Sequence, residues 1–179
     1  MNRPRPGVRH AGFTLIELLT ILALASILLA FSIPSLTKVL VRQKLEGLVR
    51  ETSIAMQQAR FQAIRTGQAG QVCASAGAKT ITATVGTKTL ALLYLPTTVD
   101  FAGPPPQLGI DVPGGCFVFR PDGSVDVTGS FRIADAKQNY LEIRVEPQAT
   151  AKVQVRKWND VDSKWYTRDQ GGKPWDWKI

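Results

Sequence analysis

The chain has 179 residues, room for one globular domain with an appendage and little more. Its 44% hydrophobic content is ordinary, but a large share is packed between Phe13 and Leu36, and the formal charge of +8 is too small to demand a polyanionic partner. One histidine, His10, and the lack of any phosphate-binding glycine loop or nucleophile motif leave no enzyme signature, no cofactor and no metal site to propose.

Residues Met1 to Gly12 carry Arg3, Arg5 and Arg9 and no acidic residue. From Leu18 to Ile33 nothing is charged, and 16 residues make about 24 Å of helix. The wider run from Phe13 to Leu36 has 24 residues, enough to span a hydrocarbon core of about 30 Å. A basic segment ahead of an apolar run stays on the cytoplasmic side, so the remainder of the chain is expected outside the cytoplasm.

Three ordinary readings fit less well. A secretory signal has its small-residue cut site after the apolar stretch, whereas Gly12 precedes it. A plain membrane anchor explains the span but not the carboxylate of Glu17, and a buried core helix needs no basic leader. A carboxylate inside a span costs about 2.5–3.5 kcal/mol on insertion scales and requires a cation or donor at the same depth.

Gly12-Phe13-Thr14-Leu15-Ile16-Glu17, continued by Leu18-Leu19, resembles the processing motif of the type IV pilin and type II secretion pseudopilin family at every position. The resemblance implies cleavage between Gly12 and Phe13 by prepilin peptidase and N-methylation of Phe13. It also implies that Glu17 pairs with the new amine of a neighbouring subunit, which supplies the cation. Loss of the leader removes three of the 22 basic residues, leaving 19 against 14 acidic ones, about +5. The expected organisation is a leader over 1–12, a transmembrane or filament-core helix over 13–36, an amphipathic helix half over 37–66 and a β-rich head over 67–179. The location implied is the inner membrane, single-pass with a periplasmic head, and then a surface pilus or periplasmic pseudopilus. The implied partners are inner-membrane lipid before assembly and other pilins in a helical filament after it.

Pro34 lies inside the helical pattern, where its missing N–H and its ring bend or end a helix. The family resemblance implies a gentle kink or a melted segment. Beyond it, Leu36, Val39, Leu40, Leu45, Leu48, Val49, Met56, Ala59 and Ala63 recur at threes and fours, which gives an amphipathic helix to about Thr66 with Gly67 as its stop.

After Gly67, Val, Thr, Ile and aromatic runs alternate with Gly and Pro. Strands are expected at 72–74, 80–85, 90–95, 116–119, 124–127, 131–134, 140–145 and 151–158. Gly86-Thr87 and Pro121-Asp122-Gly123 read as turns, and 104–115 as a loop. Leu141, Ile143, Val145, Val153 and Val155 should face the helix, with Arg144, Gln154 and Arg156 outward. The fold class is α+β, a long N-terminal helix packed on an antiparallel β-sheet head.

Phe119-Arg120-Pro121-Asp122-Gly123 followed by two closing strands resembles the GspH/FimT type of minor pilin. DNA-binding members carry a Gly-Arg pair before the last strand. Ala151-Lys152 stands there in this chain, so the resemblance does not carry DNA binding over.

Cys73 and Cys116 are the two cysteines, and export to an oxidising compartment makes a disulfide the default, against two buried thiols. Major pilins bridge near the C-terminus, so this placement points to a minor one. The function expected is a minor type IV pilin in pilus assembly, with a type II secretion pseudopilin as the alternative and a DNA-binding pilin as another.

All four tryptophans fall after residue 157, interleaved with basic residues. Arg156, Lys157, Trp158, Lys164, Trp165 and Arg168 are candidate contacts for a neighbouring pilin or for DNA, and packing within the head is the alternative.

Overall fold

The computed structural model describes residues 14–168 and Trp175, with the side chains of 29–38 outside that description. The chain divides into two units, Met1–Leu40 and Val41–Ile179. Helix α1 is assigned from Leu15 to Thr66, so Pro34 does not end it. It stops at Gly67, whose φ of 69° is the left-handed turn that glycine adopts without a Cβ clash, and the Gly67 N–H donates to Ala63 O at 3.0 Å.

Ten strands follow among the described residues: β1 Gly70–Ser75, β2 Thr80–Val85, β3 Lys88–Tyr94, β4 Val99–Phe101, β5 Ile110–Asp111, β6 Cys116–Phe119, β7 Gly129–Asp135, β8 Tyr140–Val145, β9 Val153–Asn159 and β10 Lys164–Thr167. They form two antiparallel sheets. One has the order β3-β2-β1-β6, and the other β10-β9-β8-β7-β4 with β5 also on β7.

The half of α1 in the second unit supplies one stripe to the core. Leu45, Leu48, Val49, Met56, Ala59 and Ala63 are buried as their spacing requires, and the Thr52 hydroxyl donates to Leu48 O so that it can be buried with them. Val72, Ile81 and Phe117 come from one sheet, and Phe131, Ile133, Leu141 and Ile143 from the other, into the same apolar cluster. Phe117 and Phe131 join the sheets, with ring centroids 4.9 Å apart.

Several expectations change. Val39 and Leu40 are exposed, not part of the buried stripe, and Leu36 lies among the side chains outside the description. Residues 124–127 make a single bridge, Phe119 to Val125, closed by Arg120 N–H to Ser124 O and Asp126 N–H to Val118 O, while the Val125 N–H donates away from it to Gln148 O. The expected loop over 104–115 contains β5, which pairs Ile110 with Phe131 and Asp111 with Ser130. Strands β4 and β10 were not foreseen either.

Candidate functional site

Two places gather the residues that the sequence singles out, the start of α1 and the outer face of the six-stranded sheet. Gly12 and Phe13 lie outside the described residues. Thr14 Oγ1 accepts from the Glu17 N–H at 3.3 Å, and Thr14 O accepts from the Leu18 N–H at 3.2 Å. Thr14 is therefore the N-cap of the helix and Glu17 its third residue, the spacing of a capping box. The Thr-x-x-Glu pattern was the available signal. A carboxylate in the first turn also complements the positive end of the helix dipole.

The turns that follow direct their hydroxyl donors back onto the helix. The hydroxyls of Thr20 and Ser26 donate back to Glu17 O at 2.8 Å and Ala23 O at 2.7 Å. Leu15, Ile16, Leu18, Leu19, Ile21 and Leu22 are all exposed, so the apolar surface runs round the helix and does not form one stripe. Among the described residues no cation pairs with Glu17. Among them, too, no helix is long and apolar enough to cross a membrane. The expected span of Phe13 to Leu36 includes Phe13 and the side chains of 29–36, outside the description.

In the six-stranded sheet, β7, β8 and β9 bring Arg132, Glu142 and Arg156 into line, since Glu142 pairs in register with both arginines. Arg132 Nε donates to Glu142 Oε1 at 2.9 Å, and Arg156 Nε donates to Glu142 Oε2 at 2.9 Å. The Glu142 side chain is 1% exposed and the Arg132 side chain 5%. Arg132 further donates to Leu108 O at 2.8 Å and to Asp111 Oδ2 at 3.0 Å. Arg156 also pairs with Glu146 at 3.7 Å, and Arg144 Nε donates to Glu146 Oε2 at 2.5 Å.

This network corrects the expectation that the face opposite the helix is solvated. Leu141, Ile143 and Val145 are buried inward as expected, with Val153 and Val155 half-buried. Arg144, Gln154 and Arg156 are only partly exposed: Arg144 and Arg156 are drawn to Glu142 and Glu146, and Leu108, Asp111 and Trp165 lie against Arg132 beside them. A Cβ at Gly109 would stand 2.3 Å from the Phe101 carbonyl carbon, so the chain there lies backbone against backbone.

The candidate tail residues form the β9–β10 hairpin, in which Trp165 pairs with Trp158 and Tyr166 with Lys157. The two tryptophan rings stack edge to face at 5.3 Å, and Trp165 Nε1 donates to Gln107 Oε1 at 3.1 Å. Lys157 is buried, Lys164 is exposed, and Arg168 pairs with Glu46 at 3.6 Å while its guanidinium stands 5.4 Å from the Trp175 ring. Arg156 and Lys157 are thus drawn into the head, whereas Lys164 and Arg168 face outward.

Cys73 and Cys116 form a disulfide. They face one another in the β1–β6 register, with Cα atoms 4.0 Å apart, and the bond closes a segment that leaves for the other sheet at β4 and β5 and returns. At the Arg120–Ser124 turn, the Ser124 hydroxyl and N–H both donate to Asp122 Oδ1, at 2.6 and 2.9 Å. Those two bonds, helped by the charge of Arg120 against slight desolvation, hold the Asp122 carboxyl below the usual range. The turn is docked on the helix by Arg60 Nε, which donates to Gly123 O at 2.9 Å.

The family model described as Type II transport protein GspH matches residues 48–155, the second half of α1 and the head as far as β9. The model of the prokaryotic N-terminal methylation motif matches residues 8–33. No curated protein and no solved structure matches the chain. The families found are structural pilin and pseudopilin types rather than enzymes. A helix laid on antiparallel sheets, a bridge between β1 and β6 and a methylation motif at the helix start agree with that match: the chain belongs to the GspH family of type II transport proteins.

Proposed function

We propose that this chain is a minor subunit of a type IV pilus, made as a precursor and cut between Gly12 and Phe13 by prepilin peptidase. Phe13 then becomes the N-methylated first residue. Residues 13–36 hold the protein in the inner membrane, with 37–66 continuing the helix and 67–179 forming the head on the periplasmic side. On assembly, the apolar helix leaves lipid for the helices of other pilins, and the head reaches the surface with the filament.

The observation that carries this reading is Glu17, a lone carboxylate at the start of a helix whose first turns are apolar all round. Such a charge in lipid or in a bundle of apolar helices needs a cation, and the amine released at Phe13 is one turn away on a neighbouring subunit. Glu17→Val should be processed but assemble poorly, and normal incorporation into isolated filaments counts against the reading. Retention of the leader mass in Gly12→Val tests the cut.

A pseudopilin of a type II secretion machine is the second reading, favoured by the GspH family match over residues 48–155. Mass spectrometry of isolated filaments separates the two by the subunits that copurify. Binding of DNA has less support, since Arg156 is taken up by Glu142 and Glu146.

A further inference from the structure

We propose that a single extended strand from a neighbouring pilin-class subunit adds to the free edge of β3 and fills the groove between that edge and α1. The proposal rests on the reading of this chain as a filament subunit.

Strand β3 is the last strand of the four-stranded sheet and bonds to β2 alone among the described residues, so its outer row of N–H and C=O groups lacks a ladder partner. Beyond that edge lies a groove of about 470 Å³ lined by Ile54, Gln57, Gln58, Phe61, Gln62 and Leu90. Leu90 reaches it through a break in register. Ala83 pairs with Ala91 and Thr84 with Thr89, so Leu90 is the extra residue and its side chain is re-aimed.

The chemistry of the groove selects its occupant. No lining residue is charged, and Phe61 remains 62% exposed beside three amide side chains. On the opposite face of the same edge, Leu92 and Tyr94 are also exposed. An added strand would place alternate side chains on Phe61, Ile54 and Leu90 from one face and on Leu92 and Tyr94 from the other, while its backbone completes the ladder. Lys88 and the bulge at Leu90 lie at one end of this edge, and beyond them Ala91–Tyr94 has neither charge nor proline of the kind that blunts edges. The occupant is therefore extended and uncharged on its groove-facing side. A helix lacks unpaired backbone groups for the edge, and a charged segment would be desolvated without a partner.

The test uses the full-length chain in its own cells, with a photo-cross-linking residue at Phe61 and a control at Val161, which is 95% exposed in the β9–β10 hairpin. Peptide mapping should find the Phe61 adduct on a strand of another pilin-class subunit and no such adduct from Val161. Phe61→Asp and Leu92→Asp should each keep the Cys73–Cys116 bridge and the melting temperature, yet lower the amount in isolated filaments about tenfold or more, the effect of leaving a charge in an uncharged site. An adduct on a helix, on lipid or on a second copy of this chain overturns the proposal, and so does wild-type incorporation of both variants. If the unsubstituted chain is itself missing from filaments, the subunit reading falls and this proposal falls with it. If that chain is present and the variants enter equally, only the proposal falls.

Discussion

Arg132 on β7 and Glu142 on β8 stand opposite each other in the sheet and share a 2.9 Å hydrogen bond, both side chains shut away from water. A second arginine, Arg156, reaches the other carboxylate oxygen, so one buried acid holds two bases. Removing that acid takes the buried partner from both guanidiniums and leaves Arg132 with Asp111 and Arg156 with the more distant Glu146. Glu142→Ala should lose about 3–5 kcal/mol of folding stability, measured by denaturant unfolding of the oxidised protein, because Arg132 stays buried without the carboxylate that both arginines share. A loss below about 1 kcal/mol, the range of exposed pairs, would show that water reaches the site.

Arg156→Ala separates the two meanings of a basic tail. It should destabilise the head while leaving any salt-dependent DNA binding unchanged, since its guanidinium faces Glu142 and Glu146. Gel shifts of the full chain should depend, if binding occurs, on the outward Lys164 and Arg168. A DNA affinity that follows Arg156 and ignores those two contradicts the placement.

Cys73→Ser with Cys116→Ser removes a link across 43 residues of sequence. The chain-entropy account gives about 4 kcal/mol for a loop of this size. Comparison of denaturation midpoints for oxidised wild type and the double variant measures it.

At Gly109 a methyl group would meet the backbone of Phe101, which has no flexible end to swing aside. Gly109→Ala should cost about 1–3 kcal/mol by overpacking. Amide exchange should quicken across 102–112 before it does in the helix.

Asp122 gives a pH signature with a definite sign. Its pKa is depressed in the fold, chiefly by the Ser124 hydroxyl, so its contribution is present above the ordinary value near 3.9 and is lost as pH falls through the lower folded value. Ser124→Ala should move the carboxyl titration upward toward that ordinary value in an NMR experiment. An unchanged titration would mean that the backbone bond alone sets it.

Much of this head can be read from its sequence because burial and period agree. The run Leu141, Ile143, Val145 alternates as a strand with one face inward, and Leu45, Leu48, Met56, Ala59 and Ala63 repeat as a helix with one stripe. Other elements leave no such trace. Strands of two and three residues, β5 and β4, are shorter than any period, and β10 looks like a basic aromatic tail until Trp165 is seen against Trp158. Glu142 and Arg132 sit at positions that alternation assigns to water, and it is Leu108, Asp111 and Trp165, distant in sequence, that close over Arg132. At the helix start, Thr14-Leu-Ile-Glu17 held two messages, a processing motif and a cap.

The bridge between β1 and β6 also bears on how the head withstands proteolysis. Every peptide bond from 74 to 115 lies between two residues that remain covalently joined. A single nick there, in the exposed turn at 76–79 or in the segment that lies against Arg132, cannot release a fragment. Both new ends stay tethered to β1 and β6, neighbouring strands of one sheet. A cleaved head would keep its mass, apart from one added water, until a reductant reached it.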